Sequence, residues 1–553
     1  MKNFLQCFIV LIIFSSTTIA QNSYLDWFFH GGGGSNEVAR DVYVDNFGYI
    51  YFVSEVTDTT VFPDTTFVAN FADVCLTKLN PAGEIVWIRL MGGTGLDRGL
   101  DIKTDDNDDI IVTGFFSGTA SFGTTTLISS GYTDVFVAKY NPNGVFQWVV
   151  QGAGPDHDEG LCIAVDDLNN IYAGGYFETS LQIGSFNLST TSNATMFYTK
   201  ISSNGTVLWA EQAVMVDYGE SFAESICFDG FDIVLTGHFD NAMIFDGDTL
   251  YSYDDSEDVF IAKIDITGTK VWLKQAGGDY DDGGSAIIAD DFGNIFLAGY
   301  FSHTANFGTF QFTSTDNNSD VFISGLDVNG NFTWADHGSG PGYDYPTSIS
   351  YNPANGISVC GVTTGGFSIG SSTFVGDATD DIFIANYFNT GILKNVIYTG
   401  GLGEERVFDV YLDDNNSGFI VGSFSGSMEI SDTTIIALTT STDLYIAKLN
   451  MNNISDVEDY TNELLLNKFE LSQNYPNPFN PATKIKYQIP ELSFINIKVY
   501  DVLGNEVATL VKDEKPAGEY EVEFKGDGLT SGIYFYQLKA GKFIQTKKML
   551  LIK

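Results

Sequence analysis

The stretch "SYLDWFFHGGGG", residues 23–34, reads as a closing strand with no strands in front of it to close. Its Trp27 is the first of six tryptophans, at 27, 87, 148, 209, 272 and 334, spaced 60, 61, 61, 63 and 62 residues apart. A second series keeps the period: "DVCLTK" from 73, "DVFVAK" from 134, "TMFYTK" from 195, "DVFIAK" from 258, "DVFISG" from 320, "DIFIAN" from 381 and "DLYIAK" from 443. Seven copies of one unit are a repeat architecture, to be read before any local motif.

Four strand signals, A to D, follow in order within a period. In the second copy they are "GLDIKTD", "DIIVTGFF", "DVFVAKYN" and "VFQWVVQG". Each is short, alternating or β-branched, and bounded by Gly, Asp or Asn. Strands A and B are joined by tight turns such as "DDNDD", "DDLNN" and "DDFGN", as a hairpin needs. The C–D turns place glycine four residues before the tryptophan position, as in "NPNGVFQW", "SSNGTVLW" and "DITGTKVW". Seven four-stranded meanders predict an all-β chain with a seven-bladed β-propeller over residues 21–450. The seventh copy stops after strand C, "DLYIAKLN", and residues 23–30 are a strand D without A, B or C. The N-terminal strand is therefore expected to complete the last blade, hiding an edge that would otherwise stay open. These units exceed the usual blade of about 40–45 residues. The surplus lies between strands B and C, as in "SGTASFGTTTLISSGYT" from 117, and is expected to widen a ligand face.

With "DDFGNIFLAGYF" (290–301) and "DVFIAKID" (258–265), the chain resembles the bacterial SBBP-type propeller repeats, D-x-x-G-N-I-Y-x-x-G followed by D-x-F-x-A-K. The resemblance spans about residues 23–450. It implies the fold, and the family has no single shared activity.

Lys plus Arg number 26 against 71 Asp plus Glu, a net charge of −45. Such a field repels nucleic acid phosphates and anionic membranes and argues against both as partners. Residues 1–20, "MKNFLQCFIVLIIFSSTTIA", read as a signal peptide, with Lys2, an apolar Phe4–Phe14 core and a Thr18-Ile19-Ala20 cleavage site. That core is too short to span a bilayer, and no later stretch is a transmembrane candidate. Cys75, Cys162, Cys227 and Cys360 fit no zinc spacing and read best as buried thiols.

After a linker at 451–465 the composition changes. Residues 466–553 carry 12 lysines against 10 acids, so the whole negative excess lies before them. Period-2 strands separated by Gly-Asn, Pro-Ala-Gly and Ala-Gly turns predict a small Ig-like antiparallel β-sandwich. Asn474–Pro481, Val499–Val507, Gly532–Gly541 and Lys547–Lys553 closely resemble, in this order, the type A C-terminal sorting domain of the type IX secretion system. Its motif falls on Asn474, Pro476, Pro478, Gly504, Gly532, Tyr534, Lys547 and Lys548. The resemblance implies a Bacteroidota-type bacterium, Sec export, and handling by the type IX machinery. Passage to the cell surface or medium follows, and the domain is usually cut off.

The chemistry is less explicit. Eight residues before the residue that ends strand A stand Glu37, Asp97, Asp158, Ser221, Asp282, Asp344 and Glu405. A ring of carboxylates at a channel mouth has the chemistry to bind calcium or a cationic ligand. The alternative, that each acid caps its local turn by accepting N–H bonds, is favoured by repetition. No other cofactor is implied. The chain has four arginines, and Arg40, Arg98 and Arg406 fall in blades 1, 2 and 7, neighbours once the ring closes. Three guanidiniums on one sector suit the carboxylate or sulfate of an acidic glycan, or else pair with the acids Glu37, Asp97 and Glu405 beside them.

Enzyme comparisons fail on residues. The Gly-x-x-x-Trp hairpins are similar to the sialidase Asp-box, but its Asp position holds Ala82, Asn143, Asn204, Thr267 and Asn329. The histidines at 30, 157, 238, 303 and 337 form no ligand spacing, and "DHDEG" at 156–160 reads as an exposed acidic loop. The expectation is an exported, non-catalytic propeller that binds glycan or protein. An extracellular carbohydrate-active enzyme using the channel-mouth acids and arginines, or a structural surface protein, are the alternatives.

Overall fold

The computed structural model describes residues 24–454 and 470–552, apart from 64, 317, 377–378, 402, 439, 490–492, 503, 516–517, 527 and 541–542. The expected signal peptide and most of the expected linker lie outside the described residues. Among the described residues, regular structure is β throughout except for two 3-10 turns, Tyr253–Asp255 and Met451–Asn453. The chain divides into two compact units, residues 1–456 and 457–553.

The first unit contains seven sets of four antiparallel strands. In the second set, Asp97–Thr104, Ile110–Phe116, Asp134–Tyr140 and Phe146–Ala153 pair in sequence order. Strands B and C are buried along their whole length here, which is why "IIVTGFF" and "DVFVAKY" are nearly continuous apolar runs. The A–B turn is held by an aspartate: Asp105 accepts from the N–H groups of Asn107 and Asp109, and Asp45 does the same for Phe47 and Tyr49. Lys139 from strand C reaches Asp105 at 2.6 Å, and Lys263 meets Asp229 at 2.5 Å in the fourth set.

The seventh set draws on both ends of the unit. Glu405–Leu412, Ser417–Phe424 and Asp443–Asn450 are followed by Leu25–Gly33, with Trp27 opposite Lys448 and His30 opposite Tyr445. The A strands touch in cyclic order: Val38–Val44, Asp97–Thr104, Asp158–Val165, Ser221–Phe228, Gly283–Ala289, Tyr345–Asn352, Glu405–Leu412, and back to Val38–Val44.

Two further devices join the sets. The C–D turn glycine is the seat for the tryptophan of the preceding set. Gly83 and Gly144 have φ of +82° and +70°, and a Cβ on them would lie 3.1 Å from Trp27 and 3.0 Å from Trp87. Trp87, Trp148, Trp272 and Trp334 donate Nε1–H to the same turn, at Pro142 O, Ser203 O, Val328 O and Asn389 O. The surplus between strands B and C has a structural role. It folds into hairpins such as Thr119–Phe122 with Thr125–Ile128, which pair backward onto strand D of the preceding set, Gly92 opposite Ser121. Main-chain donors that a ligand-facing loop would leave open are consumed in stitching.

The second unit has two antiparallel sheets. One holds Glu470–Leu471, Ala482–Ile489 and Gly518–Lys525; the other holds Glu506–Lys515, Ser493–Tyr500, Gly532–Ala540 and Phe543–Leu551. Alternate residues of both, including Ile485, Tyr487, Ile497, Tyr536 and Met549, share one core. Asn474 is buried, donating Nδ2–H to Pro476 O and Thr483 Oγ1 and its main-chain N–H to Tyr536 Oη. Gly504, at φ +82°, closes the turn after Asp501. Tyr534 Oη donates to Thr530 O, and Lys547 and Lys548 lie opposite Tyr536 and Phe535.

Candidate functional site

The three arginines come together, and each already has an anion. In every A strand the ladder slips by one residue, in the first between Ala39 and Asp41. The slip leaves Arg40 as a bulge residue with no cross-strand partner, free to be re-aimed. Its guanidinium lies 4.6 Å from the Phe408 ring, on the seventh set's bulge, and 3.4 Å from Glu55 Oε2. Arg98 Nε meets the same oxygen at 2.7 Å. Arg406 Nε lies 2.6 Å from Asp380 Oδ2. Burial pulls the Arg40 guanidinium down, Glu55 opposes it, and Arg98 and Arg406 both lower it further. The ion-pair partners are Glu55, Asp380 and, at 3.7 Å from Arg406, Glu404, and not Glu37, Asp97 or Glu405.

Those acids follow the capping alternative and not the open carboxylate ring. Glu37, Asp97 and Glu405 are at most 1% exposed. Asp97 accepts from the Gly93 and Ser117 N–H groups, and Glu37 from the Thr57 and Thr60 hydroxyls. Burial pushes both carboxyls up to about 7, with Asp443 adding to it at Glu37 and Asp73 at Asp97. In "DHDEG", Asp158 is buried while Asp156 accepts from Thr179 Oγ1, so its acids diverge. Cys75, Cys162, Cys227 and Cys360 are buried and unpaired. Among the described residues no three His, Cys, Asp or Glu side chains converge on a metal position.

A second feature escaped the sequence reading. A cleft of ≈ 410 Å³ around the fifth set, reaching into the fourth and sixth, is lined by Tyr280, Tyr300, Tyr343, Tyr345, Glu257 and Asp281, with Asn318 and two serines. Tyr280 stacks on His303 with ring centroids 3.9 Å apart. Tyr280 and Tyr343 are 49% and 61% exposed. Tyr300 Oη donates to Glu257 Oε2 at 3.0 Å; burial raises the Glu257 carboxyl while this bond opposes it. The signal was present as "GGDYDD" and "GPGYDY", which put a tyrosine in the same D–A loop of consecutive copies. A roomier cleft of ≈ 590 Å³ near Val150 and Gly205 has no charged or aromatic side chain in its lining and offers no recognition chemistry.

Residues 473–553 match the family described as Secretion system C-terminal sorting domain. The chain therefore carries a sorting domain that marks it for export, to the surface or beyond. No described helix is long and apolar enough to cross a membrane. Over 443 residues the chain is 22% identical to an uncharacterised WD repeat-containing protein of Acanthamoeba polyphaga mimivirus, covering 65% of this chain and 32% of that protein. Over 142 residues it is 27% identical to the regulatory protein FlaEY of Caulobacter vibrioides, covering 24% and 15%. The chain thus spans about a third or less of the length of these relatives. Two solved structures from Porphyromonas gingivalis are similar at low identity. PorZ, a surface component of the type-IX secretion system, matches at 12% identity over 94% of this chain and 99% of that one, with a TM-score of 0.18. Dipeptidyl peptidase 4 matches at 8% identity over 81% and 57%, with a TM-score of 0.31. Scores this low carry no argument about activity.

Proposed function

We propose that residues 21–450 form a closed seven-bladed β-propeller of SBBP-type repeats that works outside the cell as a non-catalytic glycan-binding module. Its export would use the type IX machinery, through residues 466–553. The cyclic contact of the A strands and the pairing of Leu25–Gly33 with Asp443–Asn450 support the closed ring. The observation that carries the ligand class is the tyrosine cleft. Open phenol rings present flat apolar faces to a pyranose ring, and Glu257, Asp281 and Asn318 beside them can accept or donate to its hydroxyls. The net charge of −45 favours a neutral glycan over an anionic one. Retention of the purified protein on immobilised neutral polysaccharides, lost in Tyr280→Ala/Tyr343→Ala, is the expected result. Equal retention of that variant would refute the cleft as the site.

A second reading places an acidic glycan on Arg40, Arg98 and Arg406, favoured by their convergence. Such a ligand must displace Glu55 and Asp380 from the same guanidiniums. Binding confined to sulfated or uronic polymers, lost in the triple alanine variant, would support it. Turnover of any polysaccharide would instead favour the enzyme reading, which the burial of Glu37, Asp97 and Glu405 disfavours.

A further inference from the structure

Six of the seven junctions between sets bury a pair of acids, one from the start of strand C and one from the start of the next strand A. Asp134 with Asp158, Asp258 with Asp282, and Asp320 with Asp344 are three, each pair 24 residues apart. The pairs of Glu37, Asp97 and Glu405 stand at the other three. A glycine precedes the strand-A acid by four residues at all six, because the approach is too close for a side chain. A Cβ on Gly154 would lie 2.0 Å from Ser180 O and 2.4 Å from Asp158 Oδ2; on Gly340 it would lie 2.2 Å from Gly366 O and 2.8 Å from Asp344 Oδ2. A Cβ on Gly277 would lie 2.0 Å from Asp258 Oδ1 and 2.9 Å from Asp282 Oδ2, so the two carboxylates face one another across the chain.

At these three 24-residue pairs, Asp134/Asp158, Asp258/Asp282 and Asp320/Asp344, some of the buried oxygens are unmet. No donor reaches either oxygen of Asp158, Oδ1 of Asp258, Oδ1 of Asp320 or Oδ2 of Asp344, and all four residues are 0% exposed. The Gly278 and Ser302 N–H groups donate to Asp282, and the Tyr253 N–H and Gln275 Nε2–H to Asp258 Oδ2, but these donors are all neutral and bring no positive charge to two buried carboxylates. At the remaining junction Thr195 and Ser221 replace both acids together, Asp217 replaces the glycine, and the loop is two residues longer. There the Ser221 hydroxyl accepts the Met196 N–H. Acids that merely capped separate turns could be lost one at a time. Here the whole constellation is kept or lost as a unit.

We infer that each of the pairs Asp134/Asp158, Asp258/Asp282 and Asp320/Asp344 holds a divalent cation of calcium's class, pinning one four-stranded set to the next. Calcium takes oxygen ligands in flexible geometry, and main-chain carbonyls such as Ser180 O and Gly366 O lie beside the pairs to supplement them. With two carboxylates per site, affinities on the order of 10⁻⁴–10⁻³ M follow, as for extracellular calcium modules.

The test is equilibrium dialysis of the purified protein, stripped with chelator, against calcium at about 1 mM, with metal counted by elemental analysis and melting followed with and without the ion. About two to three bound ions and a higher melting temperature are expected. Asp134→Thr/Asp158→Ser, which copies the Thr195/Ser221 junction, should bind one ion fewer and gain less from calcium. A calcium count unchanged by that variant, or a wild-type melting temperature that calcium leaves unmoved, would overturn the inference and leave shared protons as the compensating charge. Should the variant fail to fold, the wild-type melting shift alone decides.

Discussion

Glu55 and Asp158 are both buried acids in strands, and they meet opposite fates. Glu55 is 7% exposed and is held by Arg98 at 2.7 Å and Arg40 at 3.4 Å. Asp158 is 0% exposed and meets only like charge, from Asp134 and Asp156, with no cation in contact. The arginine sector, conspicuous because arginine is scarce in this chain, is thus electrostatically closed upon itself. The junctions, inconspicuous because they repeat, are where charge is left unbalanced. Rarity of a residue type does not measure its availability; what matters is whether its partner is already supplied.

The contrast depends on the frame, so the largest effect comes from removing it. Deleting residues 21–31 removes Trp27 from its seat on Gly83 and takes Phe28 and Phe29 out of the cores they pack into. Each large apolar side chain contributes about 2 kcal/mol of burial, and their sum rivals the about 5–15 kcal/mol stability of a domain. The deletion variant is expected to misfold or aggregate; a cooperative melt at the parent temperature would sink the ring-closure reading.

Next comes acidity. Burial pushes Asp158, Asp282 and Asp344 up to about 8 and Glu37, Asp97 and Asp258 up to about 7. A folded-state pKa above the unfolded one gives stability that is complete below about pH 4 and lost as pH rises through 7–8. In chelator, the melting temperature should therefore fall between pH 5 and about pH 9, and Asp158→Asn should flatten that slope. A melting temperature that rises over this range would show the junction acids to be compensated already.

Stranding the other acid tests the opposite arm. Arg40→Ala/Arg98→Ala leaves Glu55 buried without a cation, at a cost of about 3 kcal/mol in denaturant unfolding. An unchanged midpoint would mean that water had entered to replace the guanidiniums. The smallest effect on stability belongs to the open cleft. Tyr280→Ala/Tyr343→Ala should leave the melt unchanged while weakening polysaccharide binding about tenfold, equivalent to about 1.4 kcal/mol.

Much of the frame was legible because its signals are local. Asp45 and Asp105 bond N–H groups two and four residues ahead, and the turn glycines stand at fixed distances from tryptophans. The backward stitching of the B–C hairpins was not legible: Thr119–Phe122 reads as a strand, but its partner at Gly92 belongs to the preceding copy. The position of the acid ring was missed for a related reason. Asp97 at the edge of a loop reads as exposed until the next set covers it. The tyrosine cleft was overlooked because Tyr280 and Tyr343 are unremarkable singly and matter only where two sets meet.

By itself the sequence determined the strands, their order, the missing partners of residues 23–34 and the sorting domain at 473–553. These depend on alternation and turn chemistry spanning a dozen residues or on a contiguous motif. Only the tertiary structure decided that Glu55 belongs to Arg98, 43 residues away, and that His30 lies 3.2 Å from Asp443, 413 residues away. Burial and charge compensation are properties of neighbours, and in this chain the neighbours are made by bringing separate copies of the repeat side by side.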